Sequence, residues 1–130
     1  MKTFKITTLP GDGIGPEVMD VALAVLDLVG SEYGLNFEIK SELAGGASLD
    51  QFNAPITESA LQSCLESDAV LLGAVGGPKW ANLPQEKKPE KGLLQLREVL
   101  VLFSNLRQAK IFTPLADASS LKKDVIIGSD

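Results

Sequence analysis

The fold of this chain depends on the stretch Leu9-Pro10-Gly11-Asp12-Gly13-Ile14-Gly15-Pro16-Glu17-Val18. The residues before it, from Phe4 to Leu9, have the apolar character of a buried strand, which Pro10-Gly11 ends. The residues after it, Val18 to Val29, form an apolar segment that we expect to be helical. Pro16 suits a first helical turn, where its missing N–H is not needed, and Glu17 favours the positive helix end. The stretch therefore predicts a strand, a glycine-rich turn and a helix.

The glycine-rich turn has two interpretations. A strand, such a turn and a helix N-terminus together form an anion-binding arrangement. The dinucleotide pattern G-x-G-x-x-G fails, however, because a count from Gly11 and Gly13 puts Pro16 where the third glycine belongs. No Walker A lysine is present either. The turn is thus either a weak phosphate site or a tight turn that needs positive φ at one or two glycines.

Strands and helices alternate after the first helix. Leu35 to Leu43 alternates apolar with polar residues and predicts a second strand, and Ala44 to Ser48 has the composition of a loop. Thr57 suits the N-cap of a helix from Glu58 to Glu66. Ala69 to Val75 is a continuous apolar run, typical of a strand covered on both faces. This alternation implies an α/β architecture with a largely parallel sheet.

The second half of the chain begins at the carboxyl end of that strand, where open α/β sheets bind ligands. The loop from Gly77 to Glu90 is long enough to be functional. Within it, Trp80 is either an aromatic wall for a flat ligand or an anchor of the loop to the core. Glu90 is expected to begin a helix over Leu93–Phe103. Leu106 to Thr113 predicts another strand, and Val125 to Gly128 the start of one more.

The helix after the loop suggests a ligand site by its spacing. Glu90, Leu93, Leu94 and Arg97 share one face, because residues three and four apart are neighbours on a helix. A matching ligand is anionic at one end, where an arginine fork binds carboxylate, and apolar at the other. Arg107 reaches the same anion if the chain turns back. The alternative places both leucines in the core and Arg97 on a solvated surface.

Composition narrows the possible functions. The 130 residues fit one ordinary domain, and a net charge of −5 argues against a nucleic-acid surface. Cys64 is the single cysteine, predicted to be a packed residue rather than a nucleophile, so no intrachain disulfide forms, as in a reducing compartment. The sequence has no histidine. It shows neither a signal peptide nor an apolar run near the roughly eighteen residues of a membrane span, so we expect a cytoplasmic protein.

Four segments together resemble the β-decarboxylating dehydrogenase family of isocitrate and isopropylmalate dehydrogenases. They occur in the family's order and spacing, and the likeness covers nearly the whole chain. The segments are Leu9-Pro10-Gly11-Asp12-Gly13-Ile14-Gly15-Pro16-Glu17-Val18, Leu72-Gly73-Ala74-Val75-Gly76-Gly77-Pro78-Lys79-Trp80, Gly92-Leu93-Leu94-Gln95-Leu96-Arg97 and Leu102-Phe103-Ser104-Asn105-Leu106-Arg107. The resemblance implies a non-Rossmann α/β fold, in agreement with the failed dinucleotide pattern.

The resemblance also implies an activity and a set of site residues. The activity is NAD-dependent oxidative decarboxylation of 3-isopropylmalate to 4-methyl-2-oxopentanoate in leucine biosynthesis, by a homodimer that needs Mg²⁺ or Mn²⁺. Arg97 and Arg107 would bind the malate portion, and Leu93 and Leu94 would line the isopropyl pocket. The residues placed beside NAD are Gly77, Pro78, Lys79, Trp80, Ala81, Asn82, Leu83, Pro84, Gln85, Glu86, Lys87, Lys88, Pro89 and Glu90.

The same resemblance implies that the chain carries only part of such an enzyme. Residues 1–98 would be the N-terminal part of an incomplete first domain, and residues 99–130 the opening of a second. Catalytic residues and metal ligands are expected beyond Asp130. The alternatives are an isocitrate, homoisocitrate or tartrate dehydrogenase of the same family, or a non-catalytic fragment or binding module. Isocitrate is disfavoured because its extra carboxylate would be buried unpaired against two leucines, whereas an isopropyl group there gains about 1.5–3 kcal/mol.

Overall fold

The computed structural model describes residues 2–107 and 110–126. Within these ranges the strands and helices are β1 (Lys2–Gly11), α1 (Gly15–Tyr33), β2 (Leu35–Ser41), α2 (Gly46–Phe52), α3 (Glu58–Leu65), β3 (Ala69–Ala74), α4 (Glu90–Val99) and α5 (Lys123–Ile126). Short 3₁₀ segments lie at Pro78–Trp80, Gln85–Lys87 and Thr113–Ala118.

The sheet of the described residues is parallel, with strand order β2-β1-β3. This confirms the predicted α/β class and parallel sheet. The central strand β1 is buried over Ile6 to Leu9, as expected of a strand with a neighbour on each side. The prediction that β3 is covered on both faces is wrong for this part of the chain. Ala69 and Leu72 are exposed because β3 is an edge strand and the described elements do not cover its whole surface.

Helix α1 confirms the predicted strand, turn and helix. Pro16 and Glu17 occupy its first turn, and Gly34 ends it in the left-handed conformation at φ 64°. Gly11 and Gly13 have φ of 77° and 55°, which supports the tight-turn interpretation of the glycines between β1 and α1. Gly15 packs directly on the sheet: a Cβ there would lie 2.0 Å from the Pro10 carbonyl oxygen. The turn therefore brings α1 into close contact with β1.

One face of α1 remains uncovered by the described residues. Large apolar side chains at heptad-like spacing are exposed there: Ile14, Val18, Val21, Val25 and Leu28. A helical stripe of this width normally faces a core. The described part of the chain thus leaves one packing face of α1 without a partner.

Helix α2 occupies the segment predicted to be a loop at Ala44 to Ser48, so that prediction is wrong. Its N-cap residue, Gly45, has no side chain to cap the helix. The cap comes instead from Asp12 in the β1–α1 turn, which accepts from Gly46 N–H at 2.8 Å and Ala47 N–H at 2.7 Å. The same carboxylate accepts from Gly76 N–H, just after β3, at 2.7 Å. Asp12 is only 4% exposed, so one buried carboxylate joins three segments.

Helix α3 agrees with its prediction to within one residue. The Thr57 side chain accepts a hydrogen bond from Ala60 N–H at 3.1 Å, as the predicted N-cap requires. Cys64 is buried in the core cluster, as predicted. Burial, with a smaller contribution from the Glu42 carboxylate, raises the pKa of the Cys64 thiol. A thiol held neutral in this way is a packing group rather than a nucleophile.

Helix α4 begins at Glu90, as predicted, but ends at Val99 rather than Phe103. Leu102 N–H bonds Arg97 C=O and Val101 N–H bonds Glu98 C=O, both at 3.0 Å, which is the Schellman pattern of a helix end. That pattern needs a left-handed residue, and Val101 supplies it at φ 53°. A β-branched residue is rare in this conformation, so the backbone after α4 is strained.

The strands predicted after α4 are absent from the described residues. Leu106, Arg107 and 110–112 form no strand, and Thr113 begins a 3₁₀ segment; positions 108 and 109 lie outside the described residues. Val125 lies in α5 instead of a strand, and 127–130 also lie outside. No described strand pairs with either segment, and an apolar run without a pairing partner is not held in a sheet.

Replacing Asp12 by alanine should destabilise the chain by roughly 3 kcal/mol or more, because buried backbone N–H groups then lose their acceptor at about 1–3 kcal/mol each. Urea unfolding followed by circular dichroism measures the change. Asp20→Ala, on the exposed surface of α1, is the matched control. Equal stability of the Asp12 and Asp20 variants would contradict the role of the buried carboxylate.

Replacing Val101 by glycine should stabilise the chain by about 1 kcal/mol. The left-handed conformation costs an L side chain roughly 1–2 kcal/mol, and the greater freedom of the unfolded glycine chain offsets part of the gain. Val25→Gly, at an exposed helical position of α1, should instead lose about 1 kcal/mol. Free energies of unfolding in urea compare the two variants. A Val101→Gly chain no more stable than the parent would argue against backbone strain at this position.

Candidate functional site

Helix α4 has one packed face and one free face. Gly92 and Leu96 are buried against the core, where a Cβ on Gly92 would stand 2.7 Å from the Pro55 carbonyl oxygen. Leu94 lies about half a turn from Gly92 and Leu96, on the opposite side of the helix. Glu90 and Arg97 lie on the Leu94 side, and Leu93 lies at the border between the two faces. Leu94 therefore does not fill the core of the described residues, whereas half-buried Leu93 is partly packed.

The exposure of the free face differs along its length. Leu94 is 58% exposed, which is high for a leucine in a helix that is otherwise packed. Leu93 and Arg97 are half-buried. This face thus offers an aliphatic surface next to a cation, the combination that a branched carboxylic acid requires.

Two adjoining hollows lie beside this face. One, of about 420 Å³, is lined by Gln85, Glu86, Lys88, Glu90, Lys91 and Leu94. The other, of about 320 Å³, is lined by Gly77, Pro78, Trp80, Ala81, Lys88, Pro89 and Glu90. Lys88 and Glu90 line both. The structure therefore brings much of the predicted cofactor loop together with Leu94. The loop residues that line neither hollow are Lys79, Asn82, Leu83, Pro84 and Lys87.

Glu90 is placed by a close approach of two backbone segments. Its Oε1 atom lies 2.6 Å from the point where a Cβ on Gly76 would stand, so a side chain there would displace the Glu90 carboxylate. Gly76 itself has φ 98° and is bound to Asp12 through its N–H. The start of the predicted cofactor loop and the start of α4 are therefore in close proximity at Gly76, which has no side chain.

Trp80 anchors the loop to helix α2. Its indole ring occupies the space over Gly46, where a Cβ would be 2.3 Å from Cζ2. Its Nε1–H donates to Asp50 Oδ1 at 3.2 Å, and Lys79 Nζ lies 2.5 Å from Asp50 Oδ2. Lys79 and the Trp80 indole hold the pKa of the Asp50 carboxyl below its ordinary value, so the group stays charged at neutral pH. The indole also lines the smaller hollow, but its role as an aromatic wall for a ligand stays a prediction.

Both arginines of the sequence are free to bind a ligand in the described structure. Neither guanidinium makes an ion pair or a hydrogen bond to another described residue. Arg107 is exposed and follows Phe103 and Leu106, which are 99% and 91% exposed. Neither arginine lines the two hollows. A shared anion site for Arg97 and Arg107 therefore stays a prediction.

Two further observations concern other kinds of site. Among the described residues, no three histidine, cysteine or acidic side chains gather closely enough to hold a metal ion. In the same part of the chain, no helix combines the length and apolar character that crossing a bilayer requires.

The sequence analysis missed Asp12 and Asp50. Asp12 lies in the glycine-rich turn, where attention went to the glycines, and Asp50 lies four residues after Gly46 in a segment read as loop and its continuation. A helix prediction over Gly46–Phe52 would have placed Gly46 and Asp50 on one face. No local cap signals that helix, so its site residues stayed hidden.

The chain is similar to known proteins along nearly its whole length. Residues 5–130 match the family described as isocitrate/isopropylmalate dehydrogenase. A 3-isopropylmalate dehydrogenase of Aquifex aeolicus is 53% identical over 130 residues, which cover 100% of this chain and 36% of the relative. One of Chlorobium chlorochromatii is 54% identical over 127 residues, covering 98% and 36%.

A solved structure supports the same conclusion. The apo form of a β-decarboxylating dehydrogenase from Thermococcus kodakarensis superposes with a TM-score of 0.60 at 34% identity, covering 76% of this chain and 27% of that one. This chain spans about 36% of the length of the curated relatives it matches. With the match over residues 5–130, the chain belongs to the isocitrate/isopropylmalate dehydrogenase family.

Proposed function

We propose that this chain is the N-terminal portion of an NAD-dependent 3-isopropylmalate dehydrogenase, which oxidises and decarboxylates its substrate to 4-methyl-2-oxopentanoate in leucine biosynthesis. The observation that carries the proposal is the free face of α4, where Leu94 stands exposed beside a hollow and Arg97 lies on the same side. The relatives from Aquifex and Chlorobium are named for this activity. We further propose a cytoplasmic homodimer for the complete protein.

The leucines favour isopropylmalate over isocitrate. An isopropyl group against Leu93 and Leu94 gains about 1.5–3 kcal/mol from burial, comparable to a valine side chain. The extra carboxylate of isocitrate would lose water there without gaining a partner, at a cost of several kcal/mol.

The loop from Gly77 to Glu90 has a shape and donor set that fit part of NAD. Its two hollows share Lys88, a cation suited to phosphate, and Glu90, an acceptor suited to ribose hydroxyls. The Glu90 carboxylate lies close to Gly76, at the start of the loop. Bound NAD would accept a hydride from the substrate, and the protein's part is to hold the two together.

The two arginines would orient the substrate rather than exchange protons with it. A guanidinium does not deprotonate in proteins, so Arg97 and Arg107 can neutralise and align carboxylates only. The family resemblance also implies Mg²⁺ or Mn²⁺. The same resemblance implies metal ligands beyond Asp130.

We propose that residues 1–98 belong to one domain and that 99–130 open a second. The core cluster of the described residues combines α3 and α4 with Leu9 of β1. It reaches only as far as Leu100, and Val101 to Arg107 lies exposed beyond it. Strained Val101 lies just after this last packed residue, three positions past the proposed end of the first domain. The uncovered stripe of α1, from Ile14 to Leu28, is where further sequence would complete the first domain.

The complete gene product should reduce NAD with 3-isopropylmalate in the presence of Mg²⁺ or Mn²⁺, and should use isocitrate far less well. The 130-residue chain alone should show no such activity, because catalytic residues and metal ligands are proposed to lie beyond it. NADH absorbance measures both. Equal kcat/KM for the two substrates would show that Leu93 and Leu94 do not select isopropylmalate. Turnover by the 130-residue chain would show that it does not depend on catalytic residues and metal ligands beyond it.

In the complete enzyme, Arg97→Lys should raise KM for isopropylmalate about tenfold, which corresponds to roughly 1.4 kcal/mol. Lysine keeps the charge but loses the planar fork that binds a carboxylate through two hydrogen bonds. Steady-state kinetics at saturating NAD measure the change. Lys2→Arg at the far end of β1 is the control for a charge-preserving exchange. Unchanged kinetics in Arg97→Lys would remove this arginine from the substrate site.

A further inference from the structure

Helix α2 contacts Trp80 on one of its faces. We call this contact, formed by Gly46 and Asp50, the Trp80 seat. Gly46 and Asp50 are four residues apart and therefore neighbours on that face. Gly46 leaves the space that the indole ring fills, since a Cβ would come within 2.3–2.4 Å of three ring atoms. Asp50 supplies the acceptor for the indole N–H at 3.2 Å. The missing side chain of Gly46 and the carboxylate of Asp50 together define where the indole ring lies.

Lys79 completes the contact from the loop side. Its Nζ is 2.5 Å from Asp50 Oδ2 and 5.2 Å from the centre of the Trp80 ring. The lysine and aspartate side chains are 65% and 45% exposed, so the ion pair by itself contributes little to stability. The ion pair instead helps to orient the loop. The Asp50 carboxylate accepts hydrogen bonds from two successive loop residues, from Lys79 at Oδ2 and from Trp80 at Oδ1.

The seat is itself fixed to the sheet. Asp12 binds the first turn of α2 through Gly46 N–H and the start of the loop through Gly76 N–H. Gly76 and Trp80 are thus both held relative to α2, one through Asp12 and the other through Asp50. A loop fixed at two points four residues apart has little freedom to rotate about either one.

We propose that Asp50 is a positioning residue for the cofactor loop, acting through Trp80 and Lys79 rather than by touching a ligand. This inference rests on the proposed function, in which the loop from Gly77 to Glu90 binds NAD. Trp80 lines the smaller hollow together with Lys88 and Glu90. Release of the ring from Asp50 lets this side of the hollow move, so the hollow must be re-formed each time the cofactor binds.

Ordering a loop at the moment of binding weakens affinity without changing the chemical step. Loss of Asp50 should therefore raise KM for NAD about fivefold and leave kcat within a factor of two. Loss of a ligand contact in the transition state would instead lower kcat. The ratio of the two effects separates a positioning residue from a catalytic one.

The seat can be tested without any activity, because Trp80 is the only tryptophan of the 130-residue chain. Acrylamide quenching of its fluorescence should rise about twofold in Asp50→Ala. Asp50→Asn should fall between, since an amide oxygen still accepts from the indole but does not pair with Lys79. Lys79→Met should resemble Asp50→Asn. Asp20→Asn, at an exposed site on α1, is the control, and far-UV circular dichroism checks that each variant is folded.

These variants change exposed side chains, so folding should be retained. Gly46→Ala gives a second approach: it displaces the ring while Asp50 stays in place, and should raise quenching as well. Quenching in Asp50→Ala equal to that of the parent and of Asp20→Asn would overturn the seat.

The functional part is tested in the complete enzyme by the kinetics of Asp50→Ala and Asp50→Asn with varied NAD. A raised KM with nearly constant kcat, larger for alanine than for asparagine, is the expected result. An active wild type whose Asp50→Ala variant has unchanged KM for NAD overturns the positioning role and leaves the proposed function standing. A wild type without isopropylmalate-dependent NAD reduction overturns the proposed function and this role with it, while the quenching result still decides whether the seat exists.

Discussion

The buried carboxylate of Asp12 is the constraint on which the remainder of the described structure depends. It accepts hydrogen bonds from Gly46, Ala47 and Gly76, which belong to different segments of the chain. A buried charge is tolerated only where such donors surround it, because an unpaired one costs several kcal/mol. The turn between β1 and α1 therefore fixes the start of α2 and the exit from β3 in a single interaction. Without it, neither the cap of α2 nor the start of the cofactor loop has a defined partner.

Glycines around this carboxylate allow the segments to approach closely enough. A Cβ on Gly45 would lie 2.5 Å from Asp12 Oδ2, and one on Gly76 would lie 2.6 Å from Glu90 Oε1. Because Gly45 and Gly76 have no side chains, the carboxylates of Asp12 and Glu90 can lie directly against the main chain. The consequence for function is indirect but definite: the loop from Gly77 to Glu90 starts at a fixed point, and α4 starts beside it with its aliphatic and cationic face turned away from the core.

The described chain holds the residues proposed to bind substrate and cofactor. It has two unpaired arginines, an exposed leucine and a loop with two hollows, while the described residues gather no metal ligands. This division agrees with a chain that spans about 36% of its curated relatives' length. The apolar stripe of α1 and the segment from Val101 to Arg107 are likewise exposed surfaces that no described residue covers. Apolar surface on that scale is stable when other polypeptide covers it.

The amino-acid sequence by itself determined the elements whose signals are local. The apolar run and glycine turn specified β1 and α1, Thr57 specified the start of α3, and the spacing from Glu90 to Arg97 specified the free face of α4. Tertiary structure alone decided α2, because its cap lies 34 residues away in Asp12, and the seat of Trp80, because Gly46 and Asp50 acquire a common face only once that helix exists. It also decided the end of α4 at strained Val101 and left the run from Leu106 without a strand, since an apolar pattern forms a strand only where a neighbouring strand can pair with it.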